Sequence, residues 1–84
     1  MSSIEEKNMV VQAYLLLQVQ VGKAQNVKKE LALYPWVIRI DRVMGPFDLI
    51  LLVEVEDNQE IGERLLKEIQ RMREVKSTLT CPII

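Results

Sequence analysis

The chain of 84 residues contains no histidine and a single cysteine, Cys81. Without histidine it lacks the commonest general base and the commonest zinc ligand, and one cysteine cannot form an intrachain disulfide. These absences argue against metal-dependent hydrolysis, against Ser/His/Asp or Cys/His catalysis and against a disulfide framework. We therefore expect no catalytic residues, no metal site and no cofactor.

The two signs of charge are nearly balanced, and no apolar stretch is long. The 11 Lys and Arg residues against 12 Asp and Glu residues give a formal net charge of −1, so the electrostatic driving force for binding nucleic acid or an anionic membrane is missing. The longest strongly apolar run, residues 49–53, is too short to span a bilayer. With no signal sequence and no disulfide, we expect a cytoplasmic protein that binds neither nucleic acid nor membrane.

Apolar residues, by contrast, are abundant for so short a chain. They make up 49% of the sequence, which excludes a disordered chain because such chains lack the apolar surface needed to offset the entropy of ordering. A domain of this size buries only about 60% of the surface that its unfolded chain exposes. Small domains without disulfides or metals often gain further burial by forming oligomers.

The hydrophobic period changes along the chain and predicts six elements. A β-rich first segment ends at Val21 and Gly22, after which the apolar spacing becomes helical until Pro35. Gly45 and Pro46 form a predicted turn. The predicted elements are strands at residues 10–20, 36–44, 47–56 and 75–84, and helices at residues 24–34 and 57–72.

The beginning of the second helix and the end of the last strand carry local signals. Asp57 and Glu60 form an Asp-x-x-Glu pair, in which the aspartate can accept from a free N–H of the first turn and the glutamate can reach back. Pro82 is expected to interrupt the pairing of the last strand, because proline has no N–H to donate.

The resulting order, β-α-β-β-α-β, predicts a ferredoxin-like α+β fold. Right-handed crossovers put both helices on one face of a four-stranded antiparallel sheet. We expect this domain to cover residues 10–84, with residues 1–9 as an N-terminal extension.

The uncovered face of this sheet carries more apolar residues than a solvent-exposed face needs. The first and third strands are central in this topology, and both are apolar on both faces, whereas a half-exposed strand normally alternates. We expect a homodimer that packs sheet against sheet through Tyr14, Leu16, Ile50 and Leu52. The alternative is that these residues form an ordinary patch of exposed apolar surface.

With the elements placed, the sequence resembles the ligand-binding domain of the Lrp/AsnC transcriptional regulators, also called the RAM domain. The most specific segment is VMGPFDLILLVEVED, residues 43–57, which is similar to the family pattern of an apolar residue, Thr, Gly, any residue, an aromatic and Asp before an apolar strand. Three positions depart from that pattern, because Met44 replaces the usual Thr, Phe47 a frequent Tyr and Leu52 a frequent Arg or Lys. The short chain resembles the stand-alone form that lacks a helix-turn-helix domain.

This resemblance implies a small sensor of amino acids that is related to transcription regulators and is not an enzyme. Dimers formed through the sheet faces would assemble into octamers or decameric rings, and the amino-acid effector would bind between dimers. Asp48 could receive the ammonium group of such a ligand, and Thr hydroxyls could donate to its carboxylate. The implied ligand-binding residues are Gly45, Pro46, Phe47, Asp48, Thr78 and Thr80.

Other interpretations of the same residues stay open. Gly45 and Pro46 could form a simple hairpin turn that Asp48 caps through its own loop. Arg39 and Arg42 have the pattern of a solvated or interface-lining strand, and Trp36 that of a packing or interface residue.

Two other functions also stay open. The chain could be an interaction protein without a ligand, which co-assembles with full-length Lrp/AsnC regulators and modulates them. It could, less readily, be an enzyme of the dimeric α/β-barrel kind, although no acid/base pair stands out.

Overall fold

The computed structural model describes residues 10–84 of the chain, apart from the side chain of Asn58. Four strands form one antiparallel sheet in the order β2-β3-β1-β4. Two helical segments connect them, which confirms the predicted ferredoxin-like α+β fold; the predicted extension at residues 1–9 lies outside the described residues. The elements are β1 (Val11–Val19), α1 (Ala24–Leu31), β2 (Val37–Arg42), β3 (Leu49–Val55), α2 (residues 58–70) and β4 (Val75–Pro82).

The hydrophobic core lies between the helices and one face of the sheet. Every second residue of the two central strands is buried there, as the alternation of side chains along a strand requires. Full burial of a large aliphatic side chain is worth about 1.5–3 kcal/mol, so this layer supplies most of the stabilisation. The buried residues are Ala13, Leu15, Leu17 and Val19 of β1, Leu49, Leu51, Val53 and Val55 of β3, and Val27, Leu31, Ile61, Leu65 and Ile69 of the helices.

A tight turn separates β1 from α1, and α1 is shorter than its sequence pattern predicts. The Lys23 N–H donates to the Gln20 carbonyl at 3.0 Å, and Gly22 has φ +80°, a value that suits glycine. The helix ends at Leu31, three residues before the predicted end. The chain continues to Tyr34 through a tighter turn, because a residue before proline is disfavoured in the α region.

The second helix begins with the predicted cap. The Asp57 Oδ1 atom accepts from the Glu60 N–H at 2.9 Å, and the Glu60 side chain reaches back to the N–H of Glu56 at 3.3 Å. The sequence pattern did not predict the middle of the helix, where Ile61–Leu65 forms a π-helical turn between the α-helical segments Asn58–Glu60 and Leu66–Gln70.

Pairing between β1 and β4 continues past Pro82, so the predicted interruption is wrong. Pro82 lies opposite Ala13, and the Ile83 N–H donates to the Gln12 carbonyl at 2.9 Å. Hydrogen-bonded and non-hydrogen-bonded pairs alternate in an antiparallel ladder, so Pro82 occupies a position whose nitrogen is directed away from β1. The missing N–H therefore costs no bond in the sheet.

Candidate functional site

The connection between β2 and β3, residues 43–48, forms a loop at the end of the sheet where β1 ends. The Val43 N–H donates to the Asp48 carbonyl at 3.0 Å, which closes the loop, and the Asp48 N–H donates to the Leu17 carbonyl at 2.8 Å, which attaches it to β1. Gly45 has φ +138°, a conformation that residues with a Cβ atom rarely adopt. The glycine of this segment is therefore required by the backbone of the loop.

The carboxylate of Asp48 is held by the backbone of β1. Its Oδ2 atom accepts a hydrogen bond from the Val19 N–H at 2.8 Å, at the point where the register of β1 against β4 shifts between Gln18 and Val19. Such a bond between an N–H and a charged oxygen is stronger than a neutral one. Asp48 thus anchors the loop to β1, instead of capping its own turn as one interpretation of the sequence suggested.

A second attachment of the loop runs across the uncovered face of the sheet. The Gln18 amide donates to the Pro46 carbonyl at 2.8 Å, and the Ser77 hydroxyl donates to the amide oxygen of Gln18 at 2.6 Å. Gln18 therefore links the loop to β4 through β1. The role of Gln18 was not predictable from the sequence, because a glutamine in a strand carries no signal of its partner.

Asp48 lines a cavity of about 310 Å³ at the junction of the loop, the end of β1 and the beginning of α1. We call this space the Asp48 cavity. Arg42 of β2 reaches it beside Gln25, whose amide oxygen lies 3.5 Å from the Arg42 guanidinium. The cavity is lined by Val19, Gln20, Val21, Gly22, Ala24, Gln25, Arg42 and Asp48.

The six predicted ligand-binding residues occupy two separate places within one chain. Gly45, Pro46 and Phe47 precede Asp48 in the loop, but Asp48 is the one of the six that lines the cavity. Thr78 and Thr80 lie on β4, opposite Leu17 and Leu15, and are half-buried on the helix-covered face of the sheet. Strand β1 separates these two threonines from the loop.

The four predicted dimer-interface residues lie together on the uncovered face. Tyr14 is paired with Leu52, and Leu16 with Ile50, in the register of β1 and β3. On the other side of β1, Leu79 of β4 lies opposite Leu16. We call these five residues the open-face patch. Tyr14 and Leu79 are 44% and 48% exposed, and the other three are half-buried.

A larger cavity of about 400 Å³ lies at the opposite end of the sheet, beside Trp36, Arg64 and Glu60. Of the charged side chains that line it, Arg64 contacts Glu60 at 3.0 Å, and Glu54 accepts from Gln12 at 2.9 Å. A ligand there would compete with these bonds. Size alone therefore does not make it the better candidate.

Beside this larger cavity, the aromatic rings of Tyr34 and Trp36 stack with their centroids 4.8 Å apart. Trp36 thus packs within the chain, which is one of the two roles predicted for it. The Tyr34 hydroxyl donates to a carboxylate oxygen of Glu68 at 3.0 Å. This hydrogen bond, together with burial, raises the pKa of Tyr34 above its ordinary value.

Within residues 10–84 no cluster of three or more metal-binding side chains occurs. Over the same residues, none of the helices combines the length and the apolar character that crossing a membrane requires.

Comparison with known proteins identifies the family of this chain. The family model described as "Lrp/AsnC ligand binding domain" matches residues 12–84. The chain belongs to this family. It is 31% identical over 68 residues to the uncharacterised HTH-type transcriptional regulator PH0140 of Pyrococcus horikoshii, and the match covers 81% of this chain and 43% of that protein. The chain thus spans less than half the length of that regulator.

Solved structures of this fold include a protein of similar size. The crystal structure of FFRP-DM1 superposes with a TM-score of 0.84 at 30% identity, covering 88% of this chain and 99% of that one. The transcriptional regulator NMB0573 from Neisseria meningitidis, solved as a complex with L-Met, has a TM-score of 0.82 at 16% identity and is covered over 53% of its length, against 95% of this chain. At that identity the second comparison shows the shared fold.

Proposed function

We propose that this chain is an oligomeric amino-acid sensor of the Lrp/AsnC type, which binds its effector at the Asp48 cavity. The observation that carries the proposal is the position of Asp48. Asp48 is the acidic residue of the loop, and that loop belongs to the segment that most resembles the family pattern. It lines a cavity of about 310 Å³, and its carboxylate is held in place. A carboxylate fixed in this way can accept charge-assisted hydrogen bonds from the ammonium group of an amino acid.

The assembly we propose has two kinds of contact. The open-face patch supports a sheet-to-sheet dimer, because burying its large apolar side chains is worth up to about 1.5–3 kcal/mol each. Val21 beside the cavity and Met44 in the loop are each 99% exposed, which supports a further contact between dimers at this end. Such a contact would bring residues of a neighbouring subunit, Thr78 and Thr80 among them, to a ligand at the cavity.

A binding role for the chain also agrees with its side chains. Within the described residues, the Asp48 cavity has one carboxylate and one guanidinium but no second acid or base that could exchange protons with a substrate. Reaction chemistry needs a nucleophile or an acid/base pair within hydrogen-bond reach of the substrate. We therefore propose that the chain is a sensor. Binding of the ligand would change its assembly or its partner.

Thermal unfolding and titration calorimetry with each of the twenty amino acids test the proposal. We expect at least one amino acid to raise the unfolding temperature at millimolar concentration, because ligand binding to the native state stabilises it. Asp48→Asn should weaken binding at least about tenfold through loss of the charge. Asp57→Asn is the matched control, because Asp57 caps α2, where asparagine serves equally well.

If no amino acid binds, the sensor function is wrong. Mixed oligomers formed on co-expression with a full-length Lrp/AsnC regulator would then favour the ligand-free interaction protein. If an amino acid binds Asp48→Asn as tightly as the unchanged chain, a site exists but lies elsewhere.

A further inference from the structure

We propose that Arg42 receives the carboxylate of the effector and thereby restricts the site to α-amino acids with a free carboxylate and an uncharged side chain. This inference rests on the proposed function and goes further by naming a residue and a ligand class. No sequence motif pointed to Arg42, which the strand pattern predicted to be solvated or to line an interface.

The charges around the cavity match those of an amino acid. Arg42 and Asp48 are the two charged residues among those that line it. One cationic and one anionic group in a single small cavity complement a ligand that carries one carboxylate and one ammonium group. Arg42 pairs with Leu49 in the β2–β3 register, so it stands next to Asp48 across the hairpin.

The guanidinium of Arg42 has hydrogen-bonding capacity left over. It offers five N–H donors, yet within residues 10–84 its one side-chain hydrogen bond is the long contact of 3.5 Å to Gln25. Arg39, Arg64 and Arg71, by contrast, each lie within 3.5 Å of a carboxylate. A bidentate pair with a ligand carboxylate would use donors that the chain itself leaves available.

The wall of the cavity next to Arg42 adds positive potential. It is formed by Ala24 and Gln25 in the first turn of α1. That turn has no acidic residue and no side-chain cap on its N–H groups, so the positive end of the helix dipole is not neutralised. The contact between Gln25 and Arg42 joins this wall to the guanidinium. Both features favour the carboxylate end of the ligand on this side and its ammonium group at Asp48.

The remaining lining determines which side chains the ligand can carry. Val19, Val21 and Ala24 are apolar, and Gln20 is neutral. With Arg42 and Asp48 engaged by the two ends of the ligand, a charged side chain would find no partner in this lining, and burying an unpaired charge in the proposed contact between dimers is costly. We therefore expect neutral amino acids to bind better than lysine, arginine, aspartate or glutamate.

The test compares Arg42→Gln and Arg42→Lys with the unchanged chain, using calorimetry on whichever of the twenty amino acids binds most tightly. The α-amide of the same amino acid serves as a probe that lacks the carboxylate. Arg73→Gln is the matched control, because Arg73 is exposed and does not line the cavity.

We expect Arg42→Gln to weaken binding about ten- to a hundredfold, as loss of a charge-assisted pair should. Arg42→Lys should recover part of the affinity, Arg73→Gln should leave it unchanged, and the α-amide should bind at least about tenfold more weakly than the acid. Thermal unfolding without ligand shows that each variant is folded.

Three results would overturn the inference and leave the sensor function standing. These are equal binding of the amino acid to Arg42→Gln, equal binding of the acid and its amide, and tightest binding of an amino acid with a charged side chain. Failure of all twenty amino acids to bind the unchanged chain would instead remove the sensor function and this inference together.

Discussion

Single side chains at the two ends of the sheet show how similar groups take different roles. Asp48 accepts from the Val19 N–H with one oxygen and still lines a cavity. At the other end, Glu68 accepts from the Tyr34 hydroxyl and lies 3.5 Å from Arg71, so its bonds are internal to the chain. The first carboxylate is available to a ligand, whereas the second stabilises the packing of α2 against the Tyr34 and Trp36 rings.

The hydrogen bond between Tyr34 and Glu68 predicts a pH dependence of stability. Because the pKa of Tyr34 is raised in the folded state, the folded chain holds the phenolic proton more tightly than the unfolded chain does. The stabilisation is fully present below the ordinary value of 10.0 and is lost as the pH rises through the raised value. The difference in unfolding free energy between the unchanged chain and Tyr34→Phe should therefore be constant from about pH 7 to 9 and shrink above about pH 10.

Urea unfolding across this pH range measures the difference. In a Glu68→Gln background, where an amide oxygen replaces the carboxylate, the change with pH should be smaller because the charge is gone. A difference between the unchanged chain and Tyr34→Phe that is the same at pH 8 and pH 11 would contradict the assigned role.

At the scale of elements, the turn before α1 and the π-helical turn of α2 each contain a glycine, and the two glycines differ in backbone conformation. Gly22 has φ +80°, whereas Gly62 lies within a helix at an ordinary φ. A Cβ atom added at either position meets no atom within 4 Å. Any difference between their substitutions by alanine therefore comes from the backbone conformation and not from crowding.

The two glycines are expected to respond with opposite signs. Gly22→Ala should lower the free energy of unfolding by about 1–2 kcal/mol, because L-residues pay that much in the left-handed region. Gly62→Ala should raise it by about 0.5–1 kcal/mol, because alanine is the better helix former and restricts the unfolded chain. Urea unfolding curves of both variants measure these changes. A shift of the same sign in both would show that the local conformation is not what controls their stability.

At the scale of the whole molecule, the two apolar faces of the sheet differ in how far they are buried. The helix-covered face carries the residues with the lowest exposure, whereas every member of the open-face patch keeps exposed surface within one chain. Its members stand side by side across three strands, because the β1 register puts Leu16 between Ile50 and Leu79. Contiguous exposed apolar surface of this kind marks interaction sites.

A charge in the middle of the open-face patch is expected to abolish the sheet-to-sheet dimer. Leu16→Glu should stay folded and form a smaller assembly, because the side chain lies outside the helix-covered core and a carboxylate cannot be buried between two sheets without a partner. Light scattering coupled to size exclusion gives the mass, and far-ultraviolet circular dichroism checks the fold. Leu33→Glu is the matched control, at a residue that is 83% exposed and outside the patch. An unchanged oligomer mass for Leu16→Glu would exclude this face as the interface.

Local patterns were sufficient for the type and order of the elements and for the faces of the central strands. Alternating apolar residues specify which side of a strand is buried, and the Asp57 cap is a contact between near neighbours in sequence. The end of α1, at Leu31, was predicted less well than the type and order of the elements. Whether Pro82 interrupts the sheet depends on whether it occupies a hydrogen-bonded or a non-hydrogen-bonded position of the ladder. Its pairing with β1 sets that position.

The sequence by itself thus determined the fold, the surplus of apolar residues on the second face and the loop that resembles the family pattern. The tertiary structure decided which polar groups are already engaged. Asp48 bonds to Val19 across 29 positions of the chain, and Arg42 meets Gln25 across 17. No periodicity encodes such contacts, because they arise only when β1, the first turn of α1 and the β2–β3 hairpin meet at one end of the sheet. Whether a charge is held by its own chain or left for a ligand is therefore a property of the folded molecule.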